Sequence, residues 1–232
     1  PNPRVLALTW VHSWTGIKIP VRQIADGIER INENREADDR VLFCLDGVHG
    51  LGVESENLPD LGCDFFMAGT HKWVFGPRGT GILWGNPGAQ HTVTPTIPTF
   101  SNAGGWGGRM TPGGFKAFEH LWAMAQAFRI HRDIGKKRVT ERIRDLNTQC
   151  KEELARMRHV RLYTPLDPAI SAGIICFDVN GMSPGAVVRA LANRKIIASV
   201  TPYRKPHARL SPGLLNNPSE VEAVIAAIRA LA

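Results

Sequence analysis

Two short apolar runs, each ending abruptly in polar residues, constrain this chain more than any other feature. Val41–Leu45 (VLFCL) passes straight into Asp46, Gly47 and His49, and DFFMAG (64–69) passes into Thr70, His71, Lys72 and Trp73. A strand that is apolar on both sides is buried on both sides, a pattern typical of parallel sheets covered by helices. Ligands of open α/β sheets sit beyond the carboxyl ends of the strands. The polar residues that close each run are therefore candidate ligand contacts. If the two strands are parallel neighbours, Asp46 and Lys72 line one rim.

The remaining periodicity extends this frame. Val5–Trp10 reads as a strand, Val21–Arg35 as a helix with Ile24, Ile28 and Ile31 on one face, and Gly81–Trp84 as a further strand. The stretch from Asn86 to Gly114 is rich in Gly, Pro and Thr and predicts a long loop or irregular crossing. From Phe115 to Met157 the pattern is helical, with a break near Asp133–Gly135. The tail reads as strands at Val160–Tyr163, Gly173–Val179, Ile196–Val200 and Ala208–Ser211, with helices at Pro184–Arg194 and Ser219–Leu231. Ser219 is the expected cap of the last helix. The expectation is an α/β fold in two parts: a mostly parallel sheet in residues 1–135 and a small α+β domain in 136–232, joined by a helix.

Composition narrows the function classes. The 232 residues are 43% hydrophobic and 21% charged, as in an ordinary globular protein. Apolar runs are strand-sized, so no membrane span is expected. The net charge of +7 raises nucleic-acid binding. The basic residues, however, concentrate in Arg129–Arg144 interleaved with Asp133, Glu141 and Asp145, which reads as a solvated helix face. Cys44, Cys63, Cys150 and Cys176 show neither metal nor disulfide spacing, which fits a reducing, cytoplasmic setting. His12, His49 and His71 with Asp46 have no recognised metal spacing either, so no metal is expected. No serine lies in a nucleophile elbow.

Lys72 is flanked by aromatic and apolar residues. Desolvation there would lower its pKa and make the amine nucleophilic, as in a lysine that forms Schiff bases. A nearby carboxylate, Asp46, suits a pyridinium nitrogen. Read alone, Asp46 before Gly47 is equally a turn-capping residue. Trp73 and Trp84 read as packing residues, whereas Trp106 among glycines is a candidate substrate contact.

The pair DGVHG and AGTHKWVFGPRGTGILWG resembles the cofactor core of the class V aminotransferase family, fold type I of the pyridoxal-phosphate enzymes. LTWVHSWTGIKIPV, RMTPGGFKAFEHLWAMAQAF and ARLSPGLLNNPSEV resemble further parts of that family, and the later segments are most similar to its isopenicillin N epimerase-like and lyase-like branch. The resemblance implies that residues 1–135 are part of the cofactor-binding large domain. It implies Lys72 as the Schiff-base lysine, Asp46 as the pyridinium partner and His49 as a ring or O3′ contact, with Thr70 and His71 on the phosphate. Arg209, in an Arg-x-Ser stretch, would bind the substrate α-carboxylate, for which a planar guanidinium suits better than an ammonium. The implied cofactor is pyridoxal 5′-phosphate, the substrate an amino acid, and the complete enzyme a homodimer.

Three departures qualify the resemblance. Gly69 replaces the usual serine before the lysine motif, and Gly113–Gly114 replaces a Gly-Thr phosphate contact. Ser199–Ala208 lacks the cysteine of the desulfurases. Family members also carry a long front segment, so the expectation is a C-terminal part of a longer enzyme. The alternative is a non-catalytic fragment or partner subunit that keeps the fold without binding cofactor alone.

Overall fold

The computed structural model describes residues 2–97, 99–100, 104–114 and 116–232. Pro98 and residues 101–103 of the expected loop, and Phe115 at the expected helix start, lie outside the described residues. The chain forms two compact units. One comprises Pro1–Leu8, Val21–Gly47 and Glu56–Arg129; the other comprises Thr9–Pro20, Val48–Ser55 and Ile130–Ala232. Two short segments of the first half thus group with the tail.

The first unit is built on a four-stranded sheet with strand order β1 (Val5–Thr9), β2 (Leu42–Asp46), β3 (Phe65–Gly69), β4 (Gly81–Gly85). β2 and β3 are parallel, and β4 runs antiparallel to β3, so the sheet is mixed. A short loop forces that reversal: the eleven residues between β3 and β4 leave no room for a crossover helix. Strand alternation divides the faces. Phe43, Leu45, Phe66 and Ala68 are buried on one face, while Asp46, Met67 and Leu83, in register with one another, are exposed on the other.

Helix α1 (Val21–Asn32) buries Val21, Ala25, Ile28 and Asn32. Ile31 is outside this stripe and 52% exposed, so the expected Ile24–Ile28–Ile31 face is rotated. The helix stops at Asn32, three residues earlier than expected. There the side-chain amide donates to Val41 O (3.0 Å) and accepts from Val41 N (2.8 Å), which seals the approach to β2. Asp64 accepts from Phe43 N at 2.7 Å and pins the start of β3 to β2.

Two short helices, α2 (Leu58–Leu61) and α3 (Gly105–Met110), interrupt the connections. Trp106, the candidate substrate contact, is engaged in packing. Its ring stacks on Phe65 and its indole N–H donates to Gln90 O at 3.1 Å. Helix α4 (Phe118–Ile134) leaves Phe118, Leu121 and Trp122 exposed.

In the second unit, Gly135 at φ 95° separates α4 from α5 (Lys136–Ala155), where the sequence predicts a break. An antiparallel sheet follows, with order β5 (Val160–Leu162), β6 (Ile175–Val179), β8 (Ala208–Leu210), β7 (Ser199–Val200). Its apolar face, with Ile175, Phe177, Val179, Ala208 and Leu210, packs against α5, α6 (Pro184–Ala192) and α7 (Pro218–Arg229). The alternate positions put Cys176, Asp178 and Arg209 on the opposite face.

β7 is shorter than the Ile196–Val200 strand expected. Lys195 adopts φ 62° and Ile196 N donates back to Leu191 O, so these residues terminate α6 instead, and Ile197 is 97% exposed. Asn217, rather than Ser219, caps α7. The Asn217 side chain accepts from Glu220 N and the Glu220 carboxylate accepts from Asn217 N, both at 2.9 Å. Pro218 then occupies the first helical position, where its missing N–H costs nothing.

Candidate functional site

In the first unit, Asp46 is the final residue of β2 and pairs in register with Met67. Immediately after it, Gly47 N donates to Met67 O at 2.8 Å, which carries the β2–β3 pairing past the carboxylate. A Cβ on Gly47 would lie 2.0 Å from the Phe66 ring, so only glycine fits here. Thr70, His71 and Lys72 follow directly on β3. The parallel pairing thus places Asp46 and Lys72 after the carboxyl ends of neighbouring strands, as expected from their two apolar runs.

The loop that bears Lys72 is closed at its base. Thr70 N donates to Thr80 O (3.1 Å), Gly76 N to Thr70 O (2.8 Å) and Phe75 N to Lys72 O (3.3 Å). Thr80 uses its hydroxyl proton on Pro77 O at 2.6 Å, so the Thr70 hydroxyl donates to Thr80. Phe75 holds a left-handed φ of 62°, a conformation that costs a non-glycine residue about 1 kcal/mol or more. Gly76 packs so closely on Thr70 that a Cβ would meet its Oγ1 at 2.7 Å.

The exposure of these residues differs from expectation. Thr70 is fully buried, so its hydroxyl fastens the loop and does not reach the surface as a phosphate contact would. His71, Lys72 and Asp46 are exposed. The desolvated setting expected for Lys72 is therefore not built by the described residues, because the sheet face carrying Asp46, Met67 and Leu83 is open.

In the second unit, His49 lies in the turn after Asp46 and is buried. Arg209, on β8, is half-buried. Its Nε donates to Ser199 Oγ (3.0 Å) and one terminal nitrogen donates to Ser13 O (3.1 Å). Beside it runs a network that the sequence reading missed. His207 is buried, with Nδ1 at 2.9 Å from Asp178, and Tyr163 donates to the same carboxylate at 2.9 Å. Burial and the Asp178 contact hold the Tyr163 hydroxyl above its ordinary range. The Trp14 ring stacks on His207 at 5.5 Å, and the Ser13 hydroxyl is paired with that of Tyr203. Asp178 in the otherwise apolar run Gly173–Val179 was the available signal.

Thiol chemistry is not favoured by this arrangement. Burial pushes Cys63 up to about 11 and Cys150 and Cys176 up to about 12; at Cys176 the nearby Arg209 charge opposes the rise without cancelling it. Cys44 is raised as well, by burial and by Asp64. The four cysteines form no disulfide. Among the described residues no cluster of His, Cys, Asp or Glu is disposed to hold a metal, and no helix is long and apolar enough to cross a membrane.

Comparison with known proteins gives the geometry a context. The sequence profile described as "Aminotransferase class-V" matches residues 1–201. The isopenicillin N epimerase of Streptomyces clavuligerus is 24% identical over 251 aligned positions, covering all of this chain and 61% of the epimerase. The apo cysteine desulfurase of Thermococcus onnurineus NA1 superposes with a TM-score of 0.83 at 21% identity, over 98% of this chain and 60% of the desulfurase. The cystine C–S lyase C-DES, solved with its product cysteine persulfide, superposes with a TM-score of 0.84 at 18% identity, over 97% of this chain and 61% of the lyase. The chain therefore spans about 60% of the length of these relatives.

Proposed function

Because the chain belongs to the aminotransferase class-V family, we propose that it is the lysine-bearing part of a pyridoxal-phosphate enzyme acting on an amino acid. Pyridoxal phosphate is the cofactor of that family. The observation that carries the reading is the placement of Asp46 and Lys72 after the carboxyl ends of adjacent parallel strands. An exposed carboxylate and an exposed primary amine on one rim match two of the contacts this cofactor requires, at its ring nitrogen and its aldehyde. The open sheet face beside Asp46 leaves them accessible. The residues present thus fit the group.

In this proposal Lys72 would hold the cofactor and, when released, would move a proton at the substrate α-carbon. Asp46 would hold a proton on the ring nitrogen. His49 would contact the ring, and His71 the phosphate. Thr70, given its burial, holds the Lys72 loop in place through Thr80. Arg209 orients the substrate through its carboxylate. When bound, the cofactor supplies an electron-withdrawing ring that acidifies the α C–H bond. Epimerisation or C–S bond cleavage is favoured over desulfuration by a cysteine nucleophile, because no thiol lies in Ser199–Ala208 and the buried thiols are pushed upward. The complete enzyme would be a homodimer.

A second reading rests on the exposure of Lys72: this part of the fold holds cofactor only when complemented by further protein, and otherwise acts as a non-catalytic partner. Absorption spectra with added pyridoxal phosphate test both. The first reading expects a band near the visible edge that Lys72→Ala abolishes. An identical band in the variant would refute the role of Lys72, and no band in either protein would favour the second reading.

A further inference from the structure

The polar face of the β5–β8 sheet carries an aromatic cluster beside Arg209. The ring centroids of His12, Trp14 and Tyr203 lie 6.0, 6.0 and 5.9 Å apart, pair by pair. Ser13 ties this cluster to the arginine: its carbonyl accepts from Arg209, and its hydroxyl pairs with that of Tyr203. Resting on the reading of Arg209 as the carboxylate site, we propose that His12, Trp14 and Tyr203 form a wall that receives the substrate side chain and selects amino acids whose side chain carries a flat aromatic ring, joined through carbon for epimerisation or through sulfur for C–S cleavage.

The wall is built in advance of any ligand. Trp14 stacks on His207, which is clamped between the Asp178 carboxylate and the Tyr163 ring, 4.0 Å away. The loop bearing Tyr203 is closed at its base, where Thr201 N donates to His207 O (2.9 Å) and His207 N donates to Thr201 Oγ1 (2.8 Å). A surface ordered in this way loses little entropy when a ligand binds.

The wall offers ring surface rather than hydrogen bonds. The Tyr203 hydroxyl is occupied by Ser13, and the Trp14 indole N–H is enclosed without a partner among the described residues. Tyr203 is nevertheless 40% exposed and Trp14 is half-buried, so ring area remains for an incoming side chain. Offset or edge contacts between rings add to simple area burial, whereas an aliphatic chain gains only the area. Arg209 uses two of its N–H groups on Ser13 and Ser199, which leaves the others for a carboxylate. Arg204 and Lys205 at the exposed loop tip disfavour cationic side chains.

Simple carboxylates test the wall without turnover. Phenylpropionate, butyrate and glutarate would be titrated into the intact chain by ligand-observed NMR, with circular dichroism confirming that each variant folds. The expected result is that phenylpropionate binds about tenfold more tightly than butyrate. That preference should collapse in Trp14→Leu and in Tyr203→Ser, the latter in an exposed loop, while butyrate affinity is unchanged and Tyr203→Phe retains it. Arg209→Gln should weaken both probes. An undiminished preference in both wall variants would overturn the proposal, as would glutarate binding more tightly than phenylpropionate, which would move selectivity to Arg204 and Lys205. If Arg209→Gln leaves both probes unaffected, or neither binds the native chain, the Arg209 reading fails and the wall with it.

Discussion

Lys151 gives the most quantitative prediction of the fold's energetics. Its side chain is 1% exposed on α5, and its ammonium donates to Pro165 O (2.8 Å), Leu166 O (3.0 Å) and Ser171 Oγ (2.7 Å). All three protons are used, so the lysine staples α5 to the 165–171 loop. Lys151→Met keeps most of the stem and removes the three bonds. Hydrogen bonds from a charged donor contribute about 1.5–3 kcal/mol each, and the Pro165 and Leu166 carbonyls would lose this donor. Relief of the ammonium's desolvation offsets part of this. Burial pulls the Lys151 amine from 10.5 down to about 8, with Asp167 and Glu152 opposing the fall. That displacement corresponds to about 3 kcal/mol against the charged form. The net expectation at neutral pH is a loss of about 2–6 kcal/mol.

The same displacement fixes a pH signature. Between about 8 and 10.5 the unfolded chain binds more protons at Lys151 than the native one. Stability from this group therefore rises with pH across that window and is lost as pH falls through it. Urea unfolding by circular dichroism, at neutral pH and at about pH 9.5, would compare native protein with Lys151→Met and cancel the titration of other groups. The native-minus-variant difference should grow with pH. A variant as stable as native protein, or a difference that shrinks as pH rises, would show that Lys151 does not staple α5 to this loop.

Three further outcomes follow from local geometry. Asn217→Ala should cost about 1 kcal/mol in urea unfolding, because it removes one half of the α7 capping box; an unchanged midpoint would count against that cap. Gly47→Ala forces a Cβ into the Phe66 ring and should cost about 1–3 kcal/mol in thermal unfolding, with the β2–β3 rim disturbed. Thr80→Val strands the Thr70 hydroxyl and frees Pro77 O, so hydrogen exchange at residues 72–76 should accelerate, and unchanged exchange would show that the loop does not depend on this pair.

The parts of the fold that were legible in sequence are those specified by local chemistry. The runs at Val41–Leu45 and DFFMAG are too apolar for anything but buried strands, and their polar endings mark the rim that β2 and β3 form. Gly135 marked the helix break because no side chain there has to oppose a positive φ. Features set by non-local contacts were hidden. Trp106 looked available among flexible glycines, yet Phe65 and Gln90 O hold it. Ile196 and Ile197 carry strand propensity, but the backbone of this stretch was taken to finish α6. The burial of Thr70 depends on Thr80, ten residues away, and the ring cluster on Ser13 and Tyr203, far apart in the chain. The exposure of Lys72 was likewise beyond reach, because apolar neighbours in sequence do not desolvate a side chain that the sheet leaves open.

Lys72 is, in the proposed mechanism, the residue to which the cofactor bonds. Borohydride reduction of the protein with pyridoxal phosphate, followed by peptide mass mapping, tests it directly in the full natural chain. A single reduced adduct is expected on the peptide that contains Lys72, absent from Lys72→Ala. An adduct spread over exposed lysines such as Lys137 and Lys205, or retained in full by Lys72→Ala, would rule out this role.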